Sequence, residues 1–184
     1  WFGIEHWDVV PDIMTVSKGL NAGALPLSAV VMRDHVAERF EGEIVPAGST
    51  QTGNPLACAA GVAAIETYRA ENVIENAALR GAEMSAWLEK LKQRHVCVGD
   101  VRGLGLLAAI ELVRDRETRE PLVPFNTESE ITTRIKKLLA EHGMYTIVRW
   151  NLVLIAPPLI ITRSELDEGF GIVDRVLEEV DTMI

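Results

Sequence analysis

The apolar residues of this chain fall into short runs, each bounded by residues that break or cap regular structure. Ile13–Val16 and Leu27–Met32 are flanked by proline or glycine, a pattern typical of short buried strands in an α/β sheet. A longer run, Leu104–Ile110, contains a glycine, and crossing a bilayer takes about 20 consecutive apolar residues. These runs predict an α/β chain with no membrane-spanning segment.

Helix signals occupy much of the middle of the chain. Asn54 followed by Pro55 predicts a helix start, because asparagine caps unpaired N–H groups and proline needs no partner in the first turn. We expect this helix to reach about Tyr68. The spacing of apolar side chains predicts a second helix over Val73–Arg94, and a short helix is expected over Asp34–Phe40.

The C-terminal part of the chain mixes strand and helix signals. Thr127-x-x-Glu130 and Thr162-x-x-Glu165 are capping-box patterns, which predict helices that end at Gly143 and near Val180. Further apolar runs predict strands over Val96–Val101, Leu106–Val113, Tyr145–Val148 and Leu152–Ile155. This mixture indicates an α+β unit.

Charge and cysteine content exclude several classes of protein. Lys plus Arg number 18 against 27 Asp plus Glu, so the 184-residue chain has a net charge of −9. Because no basic block is present, nucleic-acid binding is not expected. Cys58 and Cys97 lie outside any CxxC pattern, which argues against a disulfide scaffold or a structural zinc site. With no basic-then-apolar leader either, we expect a cytoplasmic protein with free thiols, Cys58 being buried among alanines.

Lys18 is the first candidate for chemistry. It follows the strand-like run Ile13–Val16 and precedes Gly19, so it should project from a strand end, where ligand sites of open α/β sheets collect. A partly desolvated lysine in such a place acts as a Schiff-base nucleophile. On spacing alone, a solvated lysine at a strand terminus is the favoured interpretation.

The loop Gly48–Gly53 is the second candidate. Its hydroxyls, from Ser49, Thr50 and Thr52, and its backbone N–H groups precede a helix start, a combination that suits a phosphate group. An ordinary loop before a helix has the same composition. Neither a Rossmann nor a P-loop pattern is present.

Arginine and histidine residues provide fewer signals. Arg149 follows an apolar run and could bind a carboxylate through its two-pronged guanidinium, or lie at a strand edge. Arg102 could also bind a carboxylate, but its position before Gly103 favours a role in bracing the loop. The four histidines are scattered, with His95 and His142 at predicted helix ends, and no HExxH pattern occurs. Metal and hydrolase chemistry are therefore not expected.

Taken together, four segments resemble the class III aminotransferases, also called ω-aminotransferases. The chain from Pro11 to Val30, which contains Ser17-Lys18-Gly19-Leu20, resembles the lysine region of that family. The other matching segments follow in the family's order: Gly48–Ala60, Val101–Leu106 and Ala156–Thr162. The resemblance covers most of the chain.

This resemblance implies a cofactor, pyridoxal 5′-phosphate (PLP), and roles for named residues. Lys18 would form the internal aldimine with PLP and move a proton between the substrate Cα and the cofactor C4′. Thr50 matches the threonine that reaches the PLP phosphate of the neighbouring subunit, and Ser49 would add a phosphate contact. The resemblance thus implies a homodimer whose active site is shared across subunits.

The same resemblance implies an α/β fold. Part of the large PLP-binding domain of the aspartate-aminotransferase-like fold, residues 1–55, would be followed by an interdomain helix over 56–72. A small α+β C-terminal domain would occupy 73–184. The family's residues that face the pyridine nitrogen and stack on the ring match nothing here, so we expect the C-terminal half of such an enzyme, inactive alone.

The expected reaction is amino transfer from an amine or ω-amino acid to a 2-oxo acid, pyruvate or 2-oxoglutarate. Leu154 stands where ornithine-type members have their carboxylate-binding arginine, so Arg149 is the candidate substrate-binding residue. The alternatives are a PLP-dependent aminomutase or decarboxylase of the same fold, or a non-catalytic fragment. No metal, nucleic acid or membrane partner is expected.

Overall fold

Backbone contacts divide the chain into two units, Trp1–Ile74 (unit 1) and Glu75–Ile184 (unit 2). The structure is a computed structural model that describes residues 1–45 and 47–184. The division lies near the start of a long helix. The domain roles and boundaries that the family resemblance implies stay a prediction.

Unit 1 contains one strand pair and several helical segments. The two strands run antiparallel, with Ile13 opposite Met32 and Val16 opposite Ala29. In chain order the elements are a 3-10 helix (Gly3–Trp7), β1 (Ile13–Val16), a 3-10 turn (Lys18–Leu20), β2 (Ala29–Met32), α1 (Asp34–Ala37) with a 3-10 extension (Glu38–Phe40), and α2 (Pro55–Ala70).

The strands of unit 1 exist as predicted, but the prediction that they are buried is wrong. Val30 and Val31 are neighbours that point to opposite faces of β2, and they are 59% and 51% exposed. Two strands alone cover neither face of a sheet. Cys58, on α2, is also exposed rather than buried, because no described element covers that side of the helix.

Unit 2 is built on an antiparallel sheet in the order β3-β4-β7-β6, with β5 paired to β4. Three helices bury apolar side chains in the same core as the sheet, which holds Leu91 of α3, Ile110 of β4 and Leu177 of α5. Its elements are α3 (Val73–Arg94), which starts just before the boundary, β3 (Val98–Leu104), β4 (Leu107–Asp115), β5 (Glu120–Pro121), α4 (Glu130–Glu141), β6 (Val148–Arg149), β7 (Leu152–Ile155) and α5 (Arg163–Asp181).

One of the two predicted capping boxes is confirmed. The Thr162 hydroxyl accepts a hydrogen bond from the Glu165 backbone N–H, and the Glu165 carboxylate accepts one from the Thr162 N–H. The other is wrong: Ser129 caps α4 by accepting from Ile131 N–H at 3.2 Å, while the Thr127 hydroxyl donates to the Pro124 carbonyl. The predicted strand Tyr145–Val148 is observed only at its end, as β6.

Glycine lets α3 lie directly against the β3–β4 turn. A Cβ atom at Gly81 would lie 2.6 Å from the Cα of Gly105 and 2.9 Å from its carbonyl oxygen. These are backbone atoms of a turn with φ of +57° at Gly105, so they cannot rotate away as a flexible side chain does.

We therefore expect Gly81→Ala to lower the free energy of unfolding of unit 2 by about 2 kcal/mol, the usual cost of overpacking. The measurement is amide hydrogen exchange in β4 under native conditions. The matched control is Gly169→Ala in α5, where a Cβ would meet nothing within 4 Å and alanine favours the helix by about 1 kcal/mol. Equal protection of β4 in the two variants would contradict the close approach.

No helix in the described part of the chain is both long enough and apolar enough to span a membrane.

Candidate functional site

Lys18 lies where the sequence predicts it, directly after a strand. Ser17 separates it from the end of β1, and Lys18 opens a single 3-10 turn that the Leu20 N–H closes on the Ser17 carbonyl at 2.8 Å. The side chain is exposed, and it makes no hydrogen bond or ion pair to any residue that the structure describes. Its amine is therefore available to a ligand.

The segment after Lys18, residues 17–27, is braced internally and is called the lysine loop below. Asn21, only 2% exposed, donates from its side-chain nitrogen to the Leu25 carbonyl at 2.7 Å and accepts from the Gly23 N–H at 3.2 Å. The Ser17 hydroxyl donates to the Leu27 carbonyl across the base of the loop at 3.3 Å. These bonds give the exposed lysine a defined backbone.

The hydroxyl-bearing loop before α2 forms a tight turn. The Thr52 hydroxyl oxygen accepts from the Ser49 N–H at 2.8 Å and lies 3.3 Å from the Ser49 hydroxyl. Thr50 is exposed, and neither its hydroxyl nor its backbone N–H bonds to any described residue. Thr50 is therefore the hydroxyl of this turn that is open to a ligand, whereas that of Ser49 is shared with Thr52.

Asn54 starts α2 as predicted. Its side-chain oxygen accepts from the Leu56 and Ala57 N–H groups at 3.0 and 3.2 Å, and its nitrogen donates to the Gln51 side chain at 2.8 Å. Asn54 thus caps the helix and ties it to the hydroxyl loop. A phosphate at this turn would meet the Thr50 hydroxyl and N–H rather than the helix amides that Asn54 already satisfies.

Unit 1 therefore carries a primary amine and a hydroxyl turn on two braced loops. An amine at a strand end suits an aldehyde, and a hydroxyl and N–H next to a helix start suit a phosphate. The donor set of Lys18, Ser49 and Thr50 fits a molecule with both groups, as PLP has. The structure gives no hydrogen bond between Lys18 and the two hydroxyl residues, and their roles stay predictions.

Arg149 belongs to unit 2, at the turn of the β6–β7 hairpin. Its guanidinium carbon lies 4.6 Å from the centre of the Trp150 ring, and Trp150 packs on Phe125 with ring centres 4.3 Å apart. The Thr132 hydroxyl donates to the Trp150 carbonyl at 3.1 Å, which ties α4 to a turn where Trp150 has a φ of +54°.

A cavity of about 650 Å³ opens beside this turn. Arg149, Trp150 and the start of α4 line it, together with Lys136. Arg149 has no carboxylate partner among the described residues, so its guanidinium can bind the carboxylate of a ligand. Its role as a substrate-binding residue remains a prediction.

The other residues singled out by sequence serve the fold. Arg102 lies in β3 and forms ion pairs with Asp100, at 3.5 Å, and with Glu111 of β4. His142 caps the C-terminus of α4, and His95 is buried. In the described part of the chain, His, Cys, Asp and Glu side chains form no group that could hold a metal ion.

Sequence reasoning missed two residues that brace the lysine loop, one within it and one on α2. Asn21 lies three residues after Lys18 and two before Gly23. An asparagine in such a position indicates a turn braced by its side chain, so local sequence could have predicted this role. Tyr68 donates its hydroxyl to the Gly19 carbonyl at 3.0 Å. No local pattern could have found it, because 49 positions separate the two residues.

Comparison with known proteins returns one family. A family model described as aminotransferase class-III matches residues 1–177. The chain is similar to an adenosylmethionine-8-amino-7-oxononanoate aminotransferase of Methanocaldococcus jannaschii, with 40% identity over 162 residues, 85% of this chain and 34% of that protein. It is also similar to a leucine/methionine racemase of Thermococcus litoralis, with 36% identity over 98% of this chain and 39% of that protein.

A solved structure gives the same result. The taurine:2-oxoglutarate aminotransferase of Bifidobacterium kashiwanohense, in complex with PLP and glutamate, is 35% identical. Its TM-score is 0.92, over 98% of this chain and 41% of that one. The chain thus spans about two fifths of the length of the proteins it matches.

Proposed function

We infer that this chain, which belongs to the class III aminotransferase family, takes part in moving an amino group from an amine or ω-amino acid to a 2-oxo acid, pyruvate or 2-oxoglutarate, with pyridoxal 5′-phosphate as cofactor. The observation that carries the proposal is the Lys18 amine, exposed at a strand end on a braced loop and unpaired among the described residues. A solved relative that binds PLP and is named for 2-oxoglutarate supports the cofactor and the acceptor class.

In this proposal the chain's own residues bind the cofactor and move a proton. PLP, when bound, supplies an electron sink that makes the α-hydrogen of an attached amine acidic. Lys18 would hold the cofactor through its aldehyde group, and its amine would accept and return the proton at the substrate Cα. Thr50, with a smaller contribution from Ser49, binds the phosphate.

The proposal extends to a homodimer. Thr50 lies on an exposed turn with its hydroxyl unpaired among the described residues, which suits a contact to the cofactor of a second copy. Arg149, beside its cavity, binds the substrate carboxylate. The cytoplasm is the proposed location, since both cysteines are free thiols.

The direct test is borohydride reduction of the protein with PLP, followed by digestion and mass spectrometry. Excess PLP is removed before reduction, so that only a cofactor held in its site remains as an imine. We then expect a phosphopyridoxyl group on the peptide that contains Lys18 and none on Lys90, Lys92, Lys136 or Lys137. The protein should be used as its natural gene encodes it. An equal distribution of label over all lysines would contradict the assignment.

A second candidate reaction, racemisation of an amino acid, is favoured by the similarity to a leucine/methionine racemase. Racemisation would also remove the proton at the substrate Cα, and a donor on the opposite face would replace it. Assays in D₂O with and without a 2-oxo acid separate the two reactions. Transamination consumes the 2-oxo acid on every cycle, whereas racemisation, like an aminomutase reaction, continues in its absence.

A further inference from the structure

A tyrosine of α2, 49 positions away in the sequence, forms a hydrogen bond to the lysine loop. The Tyr68 hydroxyl donates to the Gly19 carbonyl at 3.0 Å, and Gly19 is the residue that follows Lys18. A peptide carbonyl held at this position limits rotation of the backbone on which the Lys18 side chain is mounted.

The same face of α2 contacts the loop at a second point. A Cβ atom at Gly61 would lie 2.9 Å from the Leu27 side chain and 3.8 Å from the Leu20 carbonyl, so the helix lies close to both ends of the loop. Gly61 precedes Tyr68 by about two helical turns, which places both residues on one face of α2. The other end of α2 is tied by Asn54 to the hydroxyl turn that carries Thr50.

We propose that Tyr68 is a positioning residue for Lys18: its hydrogen bond to Gly19 fixes the loop backbone that carries the lysine amine. This inference rests on the proposed function of Lys18. The helix α2 carries the phosphate turn at its N-terminal end and contacts the lysine loop through Gly61 and Tyr68. In the proposed dimer, the turn and the lysine serve the cofactors of different subunits. Tyr68 touches neither cofactor nor substrate in this proposal, and acts through the backbone of the loop.

The test compares Tyr68→Phe with Tyr145→Phe in the PLP-loaded protein as its natural gene encodes it. Tyr68→Phe removes only the hydroxyl. Tyr145 is the other tyrosine of the chain and is 96% exposed, so Tyr145→Phe makes the same chemical change away from the loop. Three quantities are measured: amide hydrogen exchange of the lysine loop, the pH at which the visible absorption band of bound PLP changes, and the yield of borohydride-trapped adduct on Lys18.

In Tyr68→Phe we expect loop amides to exchange about two- to tenfold faster, the effect of one lost hydrogen bond. Because the amine is then held less well, the adduct yield at subsaturating PLP should fall, and the pH of the spectral change should move. Tyr145→Phe should match the wild-type protein in all three. A role confined to stabilising the fold would change the exchange rate alone, and that result would overturn the proposal.

The outcomes separate this inference from the proposed function. If the wild-type protein gives no adduct on Lys18, the proposed function fails and the inference fails with it. If the wild-type protein gives the adduct while Tyr68→Phe matches Tyr145→Phe, only the inference is overturned.

Discussion

Replacing Lys18 by alanine is expected to lower the transaminase turnover of the protein by about 1,000-fold or more, the size of a lost general acid–base group. Alanine offers no amine to bond to the cofactor and no base to move the proton at the substrate Cα. Since Lys18 is exposed and makes no hydrogen bond to a described residue, its removal should leave the fold unchanged. The measurement is steady-state turnover with an amine donor and pyruvate, together with far-UV circular dichroism.

The matched control for this prediction is Lys90→Ala. Lys90 is also a lysine with its charge at the surface, and its amine lies 4.4 Å from the centre of the Trp87 ring in unit 2. Turnover of this variant should equal that of the wild-type protein. If Lys18→Ala retained a tenth or more of the turnover, Lys18 would be a solvated strand-end lysine, and the cofactor assignment would fall.

A mixing experiment extends the same prediction to the shared active site. Every active site of a Lys18→Ala dimer lacks the lysine, and every active site of a Thr50→Ala dimer lacks the threonine hydroxyl. The two residues of one site come from different subunits in the proposed dimer. After exchange of subunits, a mixed dimer would have one site with both residues intact, so turnover should return to about one quarter of the wild-type value for random pairing in a symmetric dimer. No recovery would indicate that Lys18 and Thr50 serve the same subunit's cofactor.

The parts of the fold that could be predicted depend on neighbouring residues. Apolar spacing predicts a helix over Val73–Arg94, and α3 has those bounds. The capping box at Thr162 is confirmed because both its partners lie within one turn. The family resemblance, which the family model and a TM-score of 0.92 confirm, likewise rests on contiguous motifs. Local sequence was sufficient for the fold class and the family.

The features that could not be predicted depend on distant residues. An apolar run such as Val30–Val31 shows that a strand has apolar faces, but burial depends on what packs against them, and here they are exposed. The hydrogen bond from Tyr68 to Gly19 spans 49 positions, and Tyr68 resembles any other tyrosine near a helix end. The sequence predicts Arg149 as a candidate carboxylate-binding residue, but it does not predict the stacking of Arg149 on Trp150. That contact is a property of the folded hairpin.

The largest stability effect in unit 2 is expected at His95, which sequence analysis treats as an ordinary helix-end residue. Its side chain is 1% exposed, with Nδ1 2.8 Å from an Asp181 oxygen and Nε2 2.9 Å from an Asp174 oxygen. Both ring nitrogens therefore lie within hydrogen-bond distance of a carboxylate of α5. His95 thus joins the end of α3 to α5 through two side-chain contacts.

The pKa of Asp181 reports on the hydrogen bonds in this cluster. Burial alone would raise the pKa of its carboxyl group, but hydrogen bonds from Cys97 and His95 outweigh burial and hold that pKa below the usual range of an aspartate. A carboxyl group with a lowered pKa stabilises the fold at neutral pH, and this stability is lost as the pH falls through the folded-state pKa. Unit 2 should therefore lose stability in acid below about pH 4.

We expect His95→Leu to lower the free energy of unfolding of unit 2 by about 3 kcal/mol, because it leaves two partly buried carboxylates without their shared donor. Arg94 still pairs with Asp174, which keeps the cost below that of a fully stranded charge pair. Amide hydrogen exchange in β4 at neutral pH measures the loss. When the measurement is repeated in acid, the free energy of unfolding should depend less on pH than in the wild-type protein, since Asp181 has lost one hydrogen bond.

His142→Leu, at the exposed end of α4, is the control and should cost less than about 0.5 kcal/mol. Equal effects of the two substitutions would mean that the His95 ring fills space in the core without joining α3 to α5.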